Sequence, residues 1–345
     1  MGSVTVDATG VLRVGVIGTG MIGEDHVRRL TSTLSGCRVS AVTDVDAERA
    51  RAVADVAPGA RVHDSGEDLV RDGEVDAVVV ASWGATHEQY VLACLAAGKP
   101  VFCEKPLAPS AKECLRIVEA EAAIGRRMVQ VGFMRRYDTA FAQLKRAVDA
   151  GTIGAPLLVH CAHRNASVPG HFVADMAITD SAVHEFDIVR WLLDDEIVAV
   201  RVLKPRANGH GRDVQDPLLI LLETAGGVLI DVETSVNIQY GYDIRAEVVG
   251  ESGTVELPQA GNVVVRQSGG VTALIAMDWR DRFRQAYDVE LQAWVDAAAK
   301  GGATGPTSWD GYVATTISEA AVWSMGTGSR VPIKLEDRPV LYAVS

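Results

Sequence analysis

Cysteine is scarce in this sequence, and its spacing excludes two common uses of the residue. The 345 residues include five cysteines, at positions 37, 94, 103, 114 and 161. Their number is odd and no two of them form a CxxC pair, so we expect neither a disulfide framework nor a cysteine-bound metal. Reduced thiols are typical of the cytoplasm. We therefore expect a cytoplasmic protein without a metal site.

Long hydrophobic runs and an excess of positive charge are also missing. No stretch approaches the roughly 18 consecutive apolar residues of a membrane span. Residues 1–10 contain no lysine or arginine, which predicts a loose tail rather than a signal peptide. The net charge of −12 disfavours nucleic acid and anionic lipid as partners, because both bind basic surfaces.

The sequence does contain a regular alternation of strand and helix patterns over residues 12–132. Such alternation is typical of a parallel sheet covered by helices on both faces, which predicts an α/β domain over residues 1–134. Strand-like segments then dominate from 157 to about 265, with one helix at about 180–193. This second pattern predicts an α+β domain with a large, mostly antiparallel open sheet over residues 135–345.

A glycine-rich motif lies between the first strand and the first helix. Gly18-Thr19-Gly20-Met21-Ile22-Gly23 fits G-x-G-x-x-G, and Asp44 ends the next strand. In this context the motif indicates a Rossmann dinucleotide-binding domain. Gly18 would permit the tight turn, Gly20 the approach of the pyrophosphate, and Gly23 the packing of helix on strand. The phosphates would bind at the helix N-terminus, where free N–H groups favour anions.

Asp44 is expected to accept hydrogen bonds from the adenosine ribose. Its charge would repel a 2′-phosphate, so the sequence favours NAD over NADP as cofactor. Asp46, two residues later, fits either a helix cap or a residue that assists Asp44.

Two further groups of residues suit the oxidation of an alcohol, which needs a base and a group that stabilises the alkoxide. Glu104-Lys105-Pro106 follows a strand at the carboxyl edge of the predicted parallel sheet, where ligands bind. Lys105 can hold the reacting oxygen, and Glu104 can pair with the lysine or orient it. Taken alone, a lysine at position 105 is more often a solvated surface residue.

The second group is Asp180, His184 and Asp187, in the helix predicted at 180–193. Their spacing of i, i+4 and i+7 places them on one face of a helix that is otherwise apolar. Polar groups in such a place cost stability unless they are paired or used. His184 is a candidate general base that Asp180 would support.

With these motifs the chain resembles the glucose–fructose oxidoreductase/inositol dehydrogenase family, also called Gfo/Idh/MocA. The resemblance extends from Val14 to about Ile333. The residues that carry it are the glycine motif, Ala97–Pro106 with its Glu-Lys-Pro end, and Asp180…His184…Asp187. It is nearest to the inositol 2-dehydrogenase branch, in stretches such as Gly132–Asp138, His163-Arg164-Asn165 and Tyr240–Asp243.

The resemblance implies that an NAD-dependent enzyme oxidises a ring hydroxyl of myo-inositol to 2-keto-myo-inositol. Lys105 would polarise the hydroxyl, His184 would take its proton, and Asp180 would bind a neighbouring hydroxyl. It also implies a homo-oligomer, a dimer or tetramer, assembled through the open sheet. Scyllo-inositol, another cyclitol or an aldopyranose remain alternative substrates, because Ala174–Ile178 departs from the glycine run of many relatives. A non-catalytic NAD-binding sensor is the remaining alternative.

The resemblance also implies that further residues contact the cofactor or the substrate. It adds further cofactor contacts to the glycine motif and Asp44. It also adds further substrate contacts to Lys105, Asp180 and His184. The cofactor set is Ser82, Trp83, Glu104 and Lys105, and the substrate set is His163, Asn165, Asp187, Tyr242 and Tyr287. Trp83 fits a core position equally well, and Asp187 fits a helix-packing partner. One of Arg135 and Arg136 would line the cleft, or both would be solvated or interface residues.

Overall fold

The computed structural model describes residues 10–210, 214–258 and 263–343. Apart from Gly10, the tail expected at residues 1–10 lies outside the described residues.

The described residues form two units, and the chain contributes to the first of them three times. This first unit contains the described residues of Met1–Phe133, Tyr287–Thr315 and Glu336–Ser345. The second unit contains those of Met134–Ala286 and Thr316–Leu335. The predicted boundary at 134/135 lies one residue from the first division, but 135–345 had been assigned to a single domain. Two segments of that stretch instead belong to the first unit.

The first unit is built on a parallel sheet of six strands with the order β3-β2-β1-β4-β5-β6. The strands are β1 Leu12–Ile17, β2 Cys37–Thr43, β3 Arg61–Val62, β4 Ala77–Val80, β5 Val101–Glu104 and β6 Val129–Gly132. The helices between them are α1 Met21–Ser32, α2 Ala47–Ala54, α3 Gly66–Arg71, α4 His87–Ala96 and α5 Ala111–Ile124. The predicted Rossmann architecture is therefore confirmed.

Near-continuous apolar sequence explains why the central strands lie inside this sheet. All four residues of β4 have no solvent exposure, as expected for a parallel strand covered on both faces. The same core contains Leu291, Trp294, Val295 and Ala298, packed with residues of β1, β4 and α1. These four come from the segment 287–315, so their burial explains why that segment joins the first unit.

The second unit contains a seven-stranded sheet with the order β12-β11-β7-β10-β9-β8-β15. Its strands are β7 Pro156–Arg164, β8 Ile197–Leu203, β9 Leu218–Thr224, β10 Leu229–Ser235, β11 Asp243–Gly250, β12 Gly253–Glu256 and β15 Val331–Pro332. Neighbouring strands are antiparallel except β7 and β10, which are parallel. The mostly antiparallel sheet is confirmed. Strands β13 Val264–Gln267 and β14 Gly270–Ala273 form a separate hairpin.

Four further α-helices follow in the described residues: α6 Thr139–Asp149, α7 Val183–Leu193, α8 Trp279–Ala298 and α9 Ser308–Thr327. One π-helical turn, Ala177–Ala182, precedes α7. In α8 the backbone leaves helical geometry at Phe283. None of the helices in the described part of the chain is long and apolar enough to span a membrane.

Candidate functional site

The candidate residues are divided between the two units. The first unit holds the glycine motif, Asp44, Ser82, Trp83, Glu104, Lys105 and Tyr287, and the second holds His163, Asn165, Asp180, His184, Asp187 and Tyr242.

The glycine turn joins β1 to α1 through two close backbone approaches. Gly18 has φ +91°, and a Cβ built on it would lie 2.4 Å from the amide nitrogen of Ser82. A Cβ on Gly23 would lie 2.0 Å from the carbonyl oxygen of Gly18. Only glycine fits at either position. At Gly20, in contrast, a Cβ would meet no atom of the described chain within 4 Å.

This geometry fits a dinucleotide phosphate. Gly20 is the N-cap of α1, where it has no side chain with which to cap the helix. The first N–H groups of α1 therefore face an open approach, and the helix dipole favours an anion there. Met21, the first residue of α1, is 61% exposed beside this approach.

Asp44 lies directly after β2, and donors surround its carboxylate. Oδ2 accepts from the Thr19 amide at 2.6 Å and from the Thr19 hydroxyl at 3.1 Å. Oδ1 accepts from the Asp46 amide at 2.9 Å and from Arg49 Nη2 at 2.7 Å. Burial alone would raise the pKa of Asp44, but the bonds from Arg49, Asp46 and Thr19 lower it to about 2. Asp46 has the capping role, since it accepts from the amides of Glu48 and Arg49 at the start of α2.

The loop after β4 carries Ser82 and Trp83. The Trp83 side chain is 80% exposed, so the core alternative is wrong for this residue. The Thr86 hydroxyl bonds the Trp83 carbonyl and the Ser82 hydroxyl, each at 2.8 Å. The buried His87 ring lies between the carbonyl oxygens of Pro106, at 2.8 Å, and Ser82, at 3.0 Å. His87 thus links this loop to the Glu-Lys-Pro segment.

Glu104 ends β5 and is 6% exposed. Its Oε1 lies 2.7 Å from Nε2 of the fully buried His26, and its Oε2 accepts from the Lys105 amide at 3.2 Å. Glu104 therefore bonds the backbone of Lys105. The Lys105–Pro106 peptide bond is cis.

Tyr287 was expected as a substrate contact of the second domain, but it belongs to the first unit. Its ring is 5% exposed and lies 5.9 Å from the His26 ring. The Arg29 guanidinium lies 5.4 Å from the Tyr287 ring centroid and also pairs with Asp288. Tyr287 is thus held beside α1.

The second unit contains a buried ion cluster at the end of β7, formed by Arg135, His163 and Glu185. Arg135, which is 1% exposed, pairs with Glu185, and its Nη2 lies 3.1 Å from His163 Nδ1. His163 Nδ1 is 2.9 Å from the second Glu185 oxygen. Burial raises the pKa of Glu185, but Arg135 and His163 outweigh that effect and lower it. Burial raises the pKa of the neighbouring Tyr242 hydroxyl to about 12.

Asp180, His184 and Asp187 were predicted on one continuous helix. Asp180 instead lies in the π-helical turn, half-buried, and His184 is the second residue of α7 and 7% exposed. Single π-helical turns occur frequently at functional sites. The His184 and His163 rings are 6.4 Å apart. Asp187 is 1% exposed and accepts from two guanidinium nitrogens of Arg136, which is the helix-packing alternative.

Both arginines after β6 are therefore paired inside the second unit rather than solvated.

Asn165 follows β7. Its backbone amide donates to the Ser235 carbonyl at 2.8 Å, and its backbone carbonyl accepts from the Ile238 amide at 3.0 Å. These two bonds fix the backbone at Asn165, whose side chain is half-buried.

Sequence reasoning missed three residues that pair with the candidate residues: His26 with Glu104, Arg49 with Asp44, and Glu185 with His163. For Glu185 a signal existed, because a charged residue on an otherwise apolar helix requires a partner. For His26 the signal was weaker, since one histidine among the buried positions of α1 does not identify its partner.

Comparison with known proteins supports the interpretation of both units as domains of one oxidoreductase family. A model of the oxidoreductase family's NAD-binding Rossmann fold matches residues 12–133, and a model of that family's C-terminal alpha/beta domain matches residues 145–335. The chain belongs to the Gfo/Idh/MocA oxidoreductase family. The predicted family and the predicted NAD cofactor are confirmed.

Individual members of the Gfo/Idh/MocA family are similar over nearly the whole chain. Inositol 2-dehydrogenase 3 of Saccharopolyspora erythraea is 55% identical over 96% of this chain and 98% of its own. Inositol 2-dehydrogenase of Acidiphilium cryptum is 56% identical over 96% and 99%. A crystal structure of myo-inositol dehydrogenase from Lactobacillus casei with NAD(H) and myo-inositol aligns with a TM-score of 0.94 and 41% identity, covering 96% and 99% of the two chains.

The ion cluster leads to a prediction about stability. Replacing Glu185 by Ala leaves the buried Arg135 charge without its carboxylate, so we expect the free energy of unfolding to fall by about 3–5 kcal/mol. Denaturant unfolding of the purified protein measures this loss.

Two controls accompany that measurement. Glu223→Ala breaks the exposed pair with Arg330 and should cost at most about 1 kcal/mol. The double change Arg135→Met with Glu185→Leu removes both charges and should recover part of the loss. An equal, small loss for Glu185→Ala and Glu223→Ala would contradict the assignment of a buried, mutually dependent pair.

Proposed function

We propose that this protein oxidises a ring hydroxyl of myo-inositol to 2-keto-myo-inositol, with transfer of hydride to NAD. The observation that carries the proposal is the alignment over 96% of the chain, at 41% identity, with a dehydrogenase solved with NAD(H) and myo-inositol. The name inositol 2-dehydrogenase on relatives at 55% and 56% identity supports the same substrate.

The reaction breaks one O–H bond and one C–H bond and forms a C=O bond. When bound, NAD supplies the acceptor for the hydride that leaves the carbon. Lys105 donates a hydrogen bond to the reacting oxygen and stabilises the negative charge that develops there. His184 takes the hydroxyl proton as general base. Asp180 bonds a neighbouring hydroxyl and stabilises the imidazolium formed on His184.

The remaining expected contacts suit a neutral, hydroxyl-rich ring. Asn165 and Tyr242 offer amide and phenol groups, and His163 offers a ring nitrogen. We retain these three and Tyr287 as substrate contacts. Asp187 has the weakest claim, because both of its oxygens already accept from Arg136. Ser82, Trp83 and Glu104 remain proposed neighbours of the cofactor.

The assembly and the location are also proposals. Apolar side chains are exposed on the second sheet, where Leu158 and Leu229 face each other on adjacent strands at 38% and 53% exposure. Covering such a surface favours a homo-oligomer, a dimer or tetramer. All five cysteines lie in the described residues as free thiols, which fits the cytoplasm.

The substrate is tested by the initial rate of NADH formation at 340 nm with purified protein and NAD. We expect the highest kcat/KM with myo-inositol among myo-inositol, scyllo-inositol, D-chiro-inositol and glucose. A different preferred polyol would keep the mechanism and correct the substrate. Tight NAD binding without turnover of any polyol would favour the sensor alternative.

The general base is tested by His184→Ala. Because no other group would take the hydroxyl proton, kcat should fall by about 10²-fold or more. His210→Ala, which changes an exposed histidine of the same unit, is the matched control and should leave kcat as it is. Unchanged turnover in His184→Ala would remove His184 from the mechanism.

Cofactor preference is tested by Asp44→Ser. The change removes the charge that repels a 2′-phosphate and releases Arg49 to pair with that phosphate. We expect the ratio of the NADP and NAD dissociation constants to shift toward NADP by at least about 10-fold, the range of one charge-assisted hydrogen bond. Adding Arg49→Ala should reverse part of the gain. A ratio equal to that of the wild type would show that Asp44 does not contact the ribose.

A further inference from the structure

His26 and Glu104 form a buried pair inside the first unit. His26 lies on α1 with no solvent exposure, and its Nε2 is 2.7 Å from Glu104 Oε1. The ring of Phe102 packs edge-on against the His26 ring at 5.6 Å. A carboxylate enclosed in this way must be held by donors, because its desolvation is otherwise costly.

The second oxygen of Glu104 faces the backbone of Lys105. Oε2 accepts from the Lys105 amide at 3.2 Å. On its other side a Cβ built on Gly132 would lie 3.1 Å from Oε2 and 3.2 Å from the carboxylate carbon. The glycine therefore leaves just enough room for the carboxylate. Glu104 is thus confined between α1, β6 and the residue that follows it.

The direction of the bond between His26 and Glu104 follows from this arrangement. The Lys105 amide donates to Oε2, so that oxygen is an acceptor. In its ionised form a carboxylate has only acceptors, so with that form His26 donates through Nε2. A charge-assisted bond of this kind is stronger than a bond between neutral groups.

We propose that His26 is a positioning residue for Lys105: through the Glu104 carboxylate it fixes the lysine backbone and thereby places the ammonium group for the reaction. The His26 ring has no solvent exposure, so it would act through Glu104 and not on the substrate directly. The inference rests on the proposed function, because it takes Lys105 as the residue that holds the reacting oxygen.

The position of His26 on α1 gives this contact a further consequence. The same helix begins at the glycine turn, with Met21 only five residues before His26. A phosphate bound at the N-terminus of α1 and the backbone of Lys105 are therefore held by one short helix segment and one carboxylate. A displacement of about 1 Å at a reacting group can cost about 10²-fold in rate, so this link matters for kcat.

The hydrogen bond itself is tested by amide exchange on the full chain, without substrate. In His26→Leu the carboxylate loses its donor, so the segment 102–107 should exchange its amide hydrogens faster than in the wild type. In His26→Gln the amide Nε2 lies where the imidazole Nε2 was and can donate, so exchange should be slow again. Equal exchange in the wild type and His26→Leu would overturn the proposal.

The action through Lys105 is tested by a double-mutant cycle, with kcat normalised to the number of NAD-binding sites. His26→Leu alone should lower kcat by about 10- to 100-fold and leave the NAD dissociation constant little changed. His26→Gln should restore most of the rate. In a Lys105→Met background the same His26→Leu change should cost less than about 2-fold, since its effect requires the lysine.

The outcomes separate a positioning role from a purely structural one. A residue that only supports folding lowers the melting temperature and the number of binding sites but leaves kcat per site unchanged, which would overturn the proposal. Additive losses in the cycle would do so as well. If His26→Leu does not fold, His26→Asn replaces it, because its amide corresponds to Nδ1 and does not reach Glu104. A wild type without polyol turnover would count against the proposed function, whereas amide exchange still decides the hydrogen bond.

Discussion

The close approach of Gly23 to the carbonyl of Gly18 determines how the rest of the first unit is arranged. A side chain on Gly23 would force α1 away from the end of β1, because even a Cβ would lie 2.0 Å from that oxygen. With α1 held there, its N-terminus opens toward the phosphate approach at Gly20. The next turn of the helix then brings His26 to Glu104 and Arg29 to Tyr287. The open N-terminus of α1 and the contact between His26 and Glu104 thus both depend on one approach between backbone atoms.

Local chemistry accounts for the parts of the fold and site that the sequence could predict. The glycine motif, the apolar strand β4 and Asp44 after β2 each carry their meaning within a few residues, so the Rossmann architecture and the NAD cofactor followed directly. The partners of Arg135 and His26 could not follow, because they lie 50 and 78 residues away along the chain. The return of 287–315 to the first unit is equally non-local, since burial of Trp294 shows only in three dimensions. The π-helical turn at Asp180 could not be predicted, because its residues fit an ordinary helix.

Two of the buried glutamates, Glu185 and Glu104, are held in the interior by different sets of partners. Glu185 faces a guanidinium and an imidazole, and their attraction keeps its pKa low despite burial. Removing one member of such a cluster leaves a charge without compensation, so the cluster behaves as a unit. Glu104 instead accepts from His26 and from one backbone amide, without a guanidinium among those two partners. Its location depends on hydrogen-bond geometry, which suits a residue that transmits position.

A cofactor ribose that binds Asp44 would have to compete with the donors that already bond its carboxylate. Two donors from Thr19 occupy one oxygen, and the Asp46 amide and Arg49 occupy the other. The backbone amides cannot leave without unfolding the turn, whereas Arg49 is 45% exposed on a flexible side chain. A ribose hydroxyl that reaches Asp44 would therefore exchange with Arg49. Because a partly solvated arginine loses little on release, the exchange costs less than it would for a buried pair. Displacing Arg49 removes the largest contribution that lowers the pKa of Asp44, but the backbone bonds from Asp46 and Thr19 still lower it.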